Sequence, residues 1–123
     1  MTAPDKPLLL IVDDERNFAE SLQLALEDAF SVTIALDLQS ARREIGKSVP
    51  DAVLLDLRLP DGDGMELFRE LKGGITPVVV VMTAHSSVES FLSAMRFGAG
   101  EYLTKPFDIE QLKALLKKKV GAP

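Results

Sequence analysis

Short apolar runs and amphipathic stretches alternate five times along this chain. The first run, Leu8-Leu9-Leu10-Ile11-Val12, is apolar without interruption, as a strand covered on both faces requires. After Asp13-Asp14-Glu15, residues Phe18, Leu22, Ala25, Leu26 and Ala29 recur at spacings of three and four, which predicts a helix with one buried face. Ser31 to Ala35 reads as the second strand. Asp37 follows as N-cap of a short helix that carries Leu38, Ala41 and Ile45 on one side and stops at Gly46. Ala52 to Leu55 is the third strand and delivers Asp56 at its carboxyl end. Pro60-Asp61-Gly62-Asp63-Gly64 can only be a loop.

Met65, Phe68 and Leu71 predict a third helix ending at Gly73-Gly74. Val78 to Met82 is the fourth strand. Ser86 as N-cap and Glu89 three residues on read as a capping box for a fourth helix. Its core stripe is predicted to be Val88, Phe91, Leu92 and Met95, ending near Phe97-Gly98. Glu101 to Thr104 is a fifth strand leading into Lys105-Pro106. Asp108 with Gln111 forms a second capping box, for a last helix with Ile109, Leu112, Leu115 and Leu116 inward.

Strands alternating with helices predict an α/β fold, a doubly wound (βα)5 arrangement with a five-stranded parallel sheet and right-handed crossovers. The expected strand order is 2-1-3-4-5, which is flavodoxin-like and places the working site at the carboxyl ends of strands 1 and 3. At 123 residues the chain fits one domain, 1–123, with a core from about 7 to 119. It has no cysteine, so disulfides and thiolate metal sites are excluded. No run approaches the roughly 20 apolar residues of a membrane span, and Met1 to Pro7 lacks a signal-peptide core. No membrane association and a cytoplasmic location are therefore expected. The net charge of −5 argues against direct nucleic-acid binding by this domain. Lys117-Lys118-Lys119 reads as a solvated helix end, where cations suit the negative end of the dipole.

The predicted topology brings six chemistry-bearing residues to one sheet edge: Asp13 and Asp14 after strand 1, Asp56 after strand 3, Thr83 after strand 4, and Thr104 and Lys105 after strand 5. Three carboxylates in one pocket repel, by roughly 4 kcal/mol for a pair about 4 Å apart at an effective dielectric of 20. Lys105 offsets one charge. A hard divalent cation such as Mg²⁺ suits the others, since it binds a few carboxylates and takes phosphate oxygens. The set fits phosphoryl transfer to a carboxylate, with Asp56 attacking and Lys105 and Thr83 stabilising the phosphoryl oxygens. Singly, each residue has a plainer reading: Asp14 as a helix cap, Lys105 as a solvated cation, Thr83 as a loop residue. Their joint placement is what points to a site.

The segments Ile11-Val12-Asp13-Asp14-Glu15, Leu54 through Gly64, Met82-Thr83-Ala84 and Tyr102-Leu103-Thr104-Lys105-Pro106-Phe107 resemble the response-regulator receiver family, along essentially the whole chain. The resemblance implies that Asp56 accepts a phosphoryl group from a histidine kinase or phosphotransfer protein. It implies that Asp14, Asp56 and the backbone carbonyl of Arg58 ligate Mg²⁺, with Asp13 assisting. It also implies a cis Lys105-Pro106 bond and a switch in which Thr83 and Tyr102 move together. On this reading the protein is a phosphoacceptor that assists its own phosphorylation and dephosphorylation, not an enzyme in the ordinary sense. Arg58 and His85 fall at positions that tune phosphoryl lifetime, although a solvent-exposed loop residue is the plainer reading of His85.

The implied output surface is the face of the fourth helix, fifth strand and fifth helix. Ser90, Ser93 and Arg96, then Glu101, Asp108, Lys113, Lys117 and Lys118 are expected to face a second copy there as a homodimer, or an output domain or partner protein. The stretch around Arg96-Phe97-Gly98-Ala99-Gly100 resembles receivers of the nitrogen-regulator subtype, and Gly121-Ala122-Pro123 reads as the start of a linker. A stand-alone receiver acting through protein contacts is the alternative. Two other classes fit less well. A flavodoxin-type cofactor binder needs a phosphate-cradling loop where Asp13-Asp14-Glu15 stands. A haloacid-dehalogenase-type phosphatase wants an acid where Arg58 stands.

Overall fold

The computed structural model describes residues 6–71 and 77–121. Five strands, β1 (Leu8–Val12), β2 (Ser31–Ala35), β3 (Ala52–Leu55), β6 (Val78–Thr83) and β7 (Glu101–Thr104), form one parallel sheet in the order β2-β1-β3-β6-β7. These are the five predicted strands in the predicted order. A two-residue hairpin between β3 and the next helix adds β4 (Arg58–Leu59) and β5 (Gly62–Asp63), paired antiparallel. The helices are α1 (Arg16–Leu26), α2 (Leu38–Lys47), α3 (Gly64–Leu71), α4 (Val88–Arg96) and α5 (Ile109–Val120).

Two apolar cores sandwich the sheet. Leu9, Ile11, Leu54, Val80 and Met82 face α1 and α5, meeting Ala19, Leu22, Leu26, Leu112 and Leu116. Leu10, Val12, Val53, Leu55 and Val81 face α2, α3 and α4, meeting Leu38, Ala41, Leu67, Phe68 and Ala94. Successive strand residues alternate between the two cores, so the central strands must be apolar throughout.

Several local expectations shift. Gly46 lies inside α2, which runs on to Lys47. The N-cap of α4 is Ser87, not Ser86, and its capping-box partner is Ser90, not Glu89. Ser87 has the extended backbone that a cap needs, so the helix starts one residue later than the Glu89 spacing suggests. Asp108 caps α5 by accepting from the N–H groups of Glu110 and Gln111. The predicted end of α3 at Gly73-Gly74 falls outside the described residues.

The largest departure is α4. The predicted core stripe is the exposed one: Val88 is 75%, Phe91 42%, Leu92 51% and Met95 41% accessible. The inward face is instead Ser90, Ser93, Ala94 and Phe97, which is also spaced at three and four. Only Ala94 of α4 is fully buried. Two helical stripes compete here, and the more apolar one is left in water.

Candidate functional site

Strand ends build the site. Asp13 follows β1, Asp56 follows β3, Thr83 ends β6, and Lys105 follows β7, with a cis bond joining it to Pro106. The buried polar or charged side chains among the described residues are Asp13, Asp56 and Thr83. A folded chain buries a carboxylate only when it is paired, and here the pairing is explicit. Lys105 Nζ lies 2.6 Å from Asp13 Oδ2 and 3.1 Å from Asp56 Oδ2. Asp13 Oδ1 accepts the Glu15 N–H at 2.9 Å, and Asp56 Oδ1 accepts the Arg58 N–H at 3.1 Å.

Burial is the largest influence on both Asp13 and Lys105. It raises the Asp13 carboxyl, and the Lys105 hydrogen bond only partly counters this, so Asp13 stays above its ordinary value. It lowers the Lys105 ammonium, but hydrogen bonding and charge attraction from Asp13 and Asp56 outweigh it, and the net direction is upward.

Asp14 is exposed, and it does not cap α1. Glu15 flanks that helix, with no side-chain cap bond. Carboxylate oxygens of Asp13, Asp14 and Asp56 nevertheless lie within 4.8 Å of one another. Three carboxylates against the one ammonium of Lys105 leave two uncompensated negative charges. An all-oxygen set with that excess fits a hard divalent cation.

Thr83 Oγ1 accepts the His85 N–H at 3.0 Å, so its hydroxyl oxygen closes the turn after β6. Arg58, Thr83, His85 and Ser90 line a cleft of about 550 Å³ between the hairpin, α3 and α4. Tyr102 is paired with Val81 across β6 and β7, and Thr83 with Thr104, so Tyr102 and Thr83 share one face of the sheet. Its hydroxyl is hydrogen-bonded to Ser90, and its ring meets Phe91 edge-on at 5.5 Å. Thr104 is exposed and adds nothing to the cluster.

Three contributors were not picked out as site residues from the sequence. Phe18, read as an ordinary core position of α1, places its ring 4.4 Å from Lys105 Nζ, where a cation is attracted to the π face. Glu15 adds an exposed carboxylate 3.3 Å from the same ammonium. Gly64 touches the backbone carbonyl of Asp56 so closely that no side chain fits between them. No local pattern signals the first two, because Phe18 and Glu15 reach Lys105 across the fold; the Gly64 contact depends on how tightly the loop after Asp56 folds back.

A buried carboxylate bridged to a lysine, at the carboxyl edge of a doubly wound sheet, with a second acid and a hydroxyl beside it, is chemically suited to receive a phosphoryl group. The model of the family described as "Response regulator receiver domain" matches residues 9–117, and the chain belongs to that family. It is 41% identical over 110 residues to the KDP operon transcriptional regulatory protein KdpE of Escherichia coli (strain K12), covering 89% of this chain and 49% of KdpE. A CheY-like receiver domain from Methanospirillum hungatei JF-1 superposes with a TM-score of 0.89 at 27% identity, covering 95% of each chain. The response regulator DrrB, an OmpR/PhoB homologue from Thermotoga maritima, gives 0.85 at 29% identity over 94% of this chain and 53% of that one. The chain spans about half the length of the curated relatives it matches. It is a phospho-accepting receiver domain of the two-component response regulator kind.

Proposed function

We propose that Asp56 is the phosphoacceptor. The observation that carries this is the buried bridge from Lys105 to both Asp13 and Asp56, an arrangement with a desolvation cost that apolar packing would avoid. A Asp56 carboxylate oxygen forms the new P–O bond as the donor's P–N bond to a kinase histidine breaks and the electron pair leaves on the imidazole. Lys105 stands 3.1 Å from Asp56, in reach of charge that develops on a phosphoryl oxygen. Thr83 offers a hydroxyl at the same edge. The same groups assist the return reaction with water, and Arg58 and His85 border the cleft from which water approaches. Asp13, Asp14, Asp56 and the backbone carbonyl of Arg58 would hold Mg²⁺, which when bound neutralises charge on the transferring phosphoryl group. The test is incubation with a small acyl-phosphate donor and Mg²⁺, followed by peptide mapping. A single phosphoryl group on the peptide carrying Asp56 is expected; a group on any other residue would refute the assignment.

Asp14→Ala is expected to weaken Mg²⁺ binding by about tenfold or more, the equivalent of roughly 1.4 kcal/mol. It should also raise thermal stability in chelator, because a like charge leaves the cluster. Calorimetric titration and melting in chelator read the two effects. An unchanged Mg²⁺ affinity would remove Asp14 from the ligand set.

The whole protein, on this reading, is a cytoplasmic transcriptional regulator whose output lies beyond this chain, as the description of KdpE suggests. Phosphorylation adds roughly two negative charges and three acceptors at the strand edge. Thr83 leaves its turn to meet them, and Tyr102, on the same sheet face, follows and releases Ser90. The output surface then centres on the apolar stripe of α4, not on charges alone. Lys113, expected there, is already paired with Asp28 at 2.7 Å. Exposed apolar patches of this kind mark interaction surfaces, and a second copy is the occupant favoured here. Beryllofluoride with Mg²⁺ should shift the sedimentation mass from monomer to dimer. Leu92→Arg should weaken that dimer by roughly ten- to a hundredfold, since burying a leucine is worth about 1.5–3 kcal/mol. An unchanged monomer mass under beryllofluoride would discard this interface.

A further inference from the structure

The hairpin that follows Asp56 is bolted to a different part of the fold. Asp61 sits at its tip, between β4 and β5, and its two carboxylate oxygens accept the N–H groups of Leu38 at 2.8 Å and Gln39 at 3.0 Å. Those are the first two residues of α2. The third N–H, of Ser40, goes to the α2 N-cap Asp37 at 2.7 Å. The first turn of α2 is thus satisfied by two carboxylates, one local and one more than twenty residues away in sequence. A helix N-terminus favours both, because its free N–H groups and the positive end of its dipole attract anions.

Gly62 shows how closely the hairpin lies on α2. Its φ of +149° is glycine territory, and a Cβ there would stand 2.8 Å from Leu38 Cδ1 and 2.9 Å from Glu66 Oε2. At the other end of the segment, Gly64 packs on the carbonyl of Asp56. The stretch from Asp56 to Gly64 is therefore held at both ends. Arg58 lies inside it, three residues before Asp61, with its N–H on Asp56 Oδ1.

We propose that Asp61 is a positioning residue for the metal site: by clamping the hairpin tip to the first turn of α2, it holds the Arg58 backbone in place beside Asp56. This rests on the Mg²⁺ site proposed above. Groups that orient metal ligands from outside the ligand set commonly change metal affinity by about 10–100-fold. Asp61 would act entirely through main chain, since the ligand it orients is a carbonyl. It also makes α2 a mechanical neighbour of the acceptor loop.

Asp37 supplies the control, because it caps the same helix turn without touching the hairpin. Four variants are compared with the parent: Asp61→Ala, Asp61→Asn, Asp37→Ala and Asp14→Ala. Mg²⁺ affinity is measured by calorimetry, and amide exchange is followed at Leu38, Gln39 and Ser40. Asp61→Ala and Asp37→Ala should both lose protection at the start of α2. Of these two helix-cap variants, Asp61→Ala alone should also weaken Mg²⁺, by roughly tenfold, with Asp61→Asn partly rescued because one acceptor oxygen remains. If Asp61→Ala binds Mg²⁺ like the parent while Asp14→Ala does not, the metal site stands and the positioning role is refuted. Equal Mg²⁺ weakening by Asp37→Ala would reduce Asp61 to an ordinary helix cap. Absence of Mg²⁺ binding by the parent would overturn both readings together.

Discussion

Asp56→Asn is expected to abolish phosphoryl uptake from acetyl phosphate with Mg²⁺ while leaving the fold intact. The carboxylate is the nucleophile, and a neutral amide oxygen does not replace it. The stability effect is smaller because two changes oppose each other. Asp56 Oδ1 takes the Arg58 N–H and Oδ2 takes Lys105. Asparagine offers one acceptor, so either the Arg58 N–H loses its partner, which costs about 1–3 kcal/mol, or Lys105 is left with Asp13 and Glu15 alone. Against that, one of three clustered negative charges disappears. The readout is intact mass after donor treatment, with circular dichroism to confirm folding. A folded variant that gains a phosphoryl group as fully as the parent would refute Asp56 as the acceptor.

Gly64→Ala is expected to be strongly destabilising although it adds a single methyl group. A Cβ at Gly64 would lie 2.3 Å from the Asp56 carbonyl oxygen and 3.1 Å from Leu57 Cα. Both obstacles are backbone, so no side chain can swing aside, and the loop carrying Asp56 must move. Overpacking of this kind costs about 1–3 kcal/mol or more, and the upper end is expected. Each kcal/mol lowers the melting midpoint of a domain this size by a few degrees, so a fall of roughly 10 °C follows. Gly46→Ala is the matched control with the opposite sign. Gly46 lies within α2 and a Cβ there meets nothing within 4 Å, so alanine should add about 0.5–1 kcal/mol through helix propensity. Thermal melts of both variants test the pair. A Gly64→Ala protein as stable as the parent would mean that the loop around Asp56 yields easily, contrary to the tight contact described.

The acceptor pocket was unusually legible in the chain because its residues terminate strands. An apolar run ending in Asp13, Asp56 or Thr83 fixes both the strand and the edge at which the polar group emerges, and a parallel doubly wound topology then gathers those edges. Asp14 was harder. The sequence allows either a helix cap or a place in the acidic cluster, and only the fold shows that it does not cap α1 and that it lies near Asp13 and Asp56. The cap of α4 moved by one residue because serines at 86 and 87 are chemically equivalent, and the backbone chooses between them.

What the sequence by itself determined is the alternation of elements, the strand order and which polar residues stand at the strand ends, since hydrophobic period and strand-end chemistry are local properties written residue by residue. The tertiary structure decided the rest. On α4 two stripes have the same helical spacing, and the one carrying Ala94 faces the sheet while Val88, Phe91, Leu92 and Met95 are left in water. Periodicity gives the width of a face but not its direction, and a small residue lets a helix approach a sheet where larger ones would hold it off. Asp61 on α2 and Phe18 over Lys105 are likewise contacts between segments distant in the chain. Their partners are set by how the layers pack, which no window of neighbouring residues encodes.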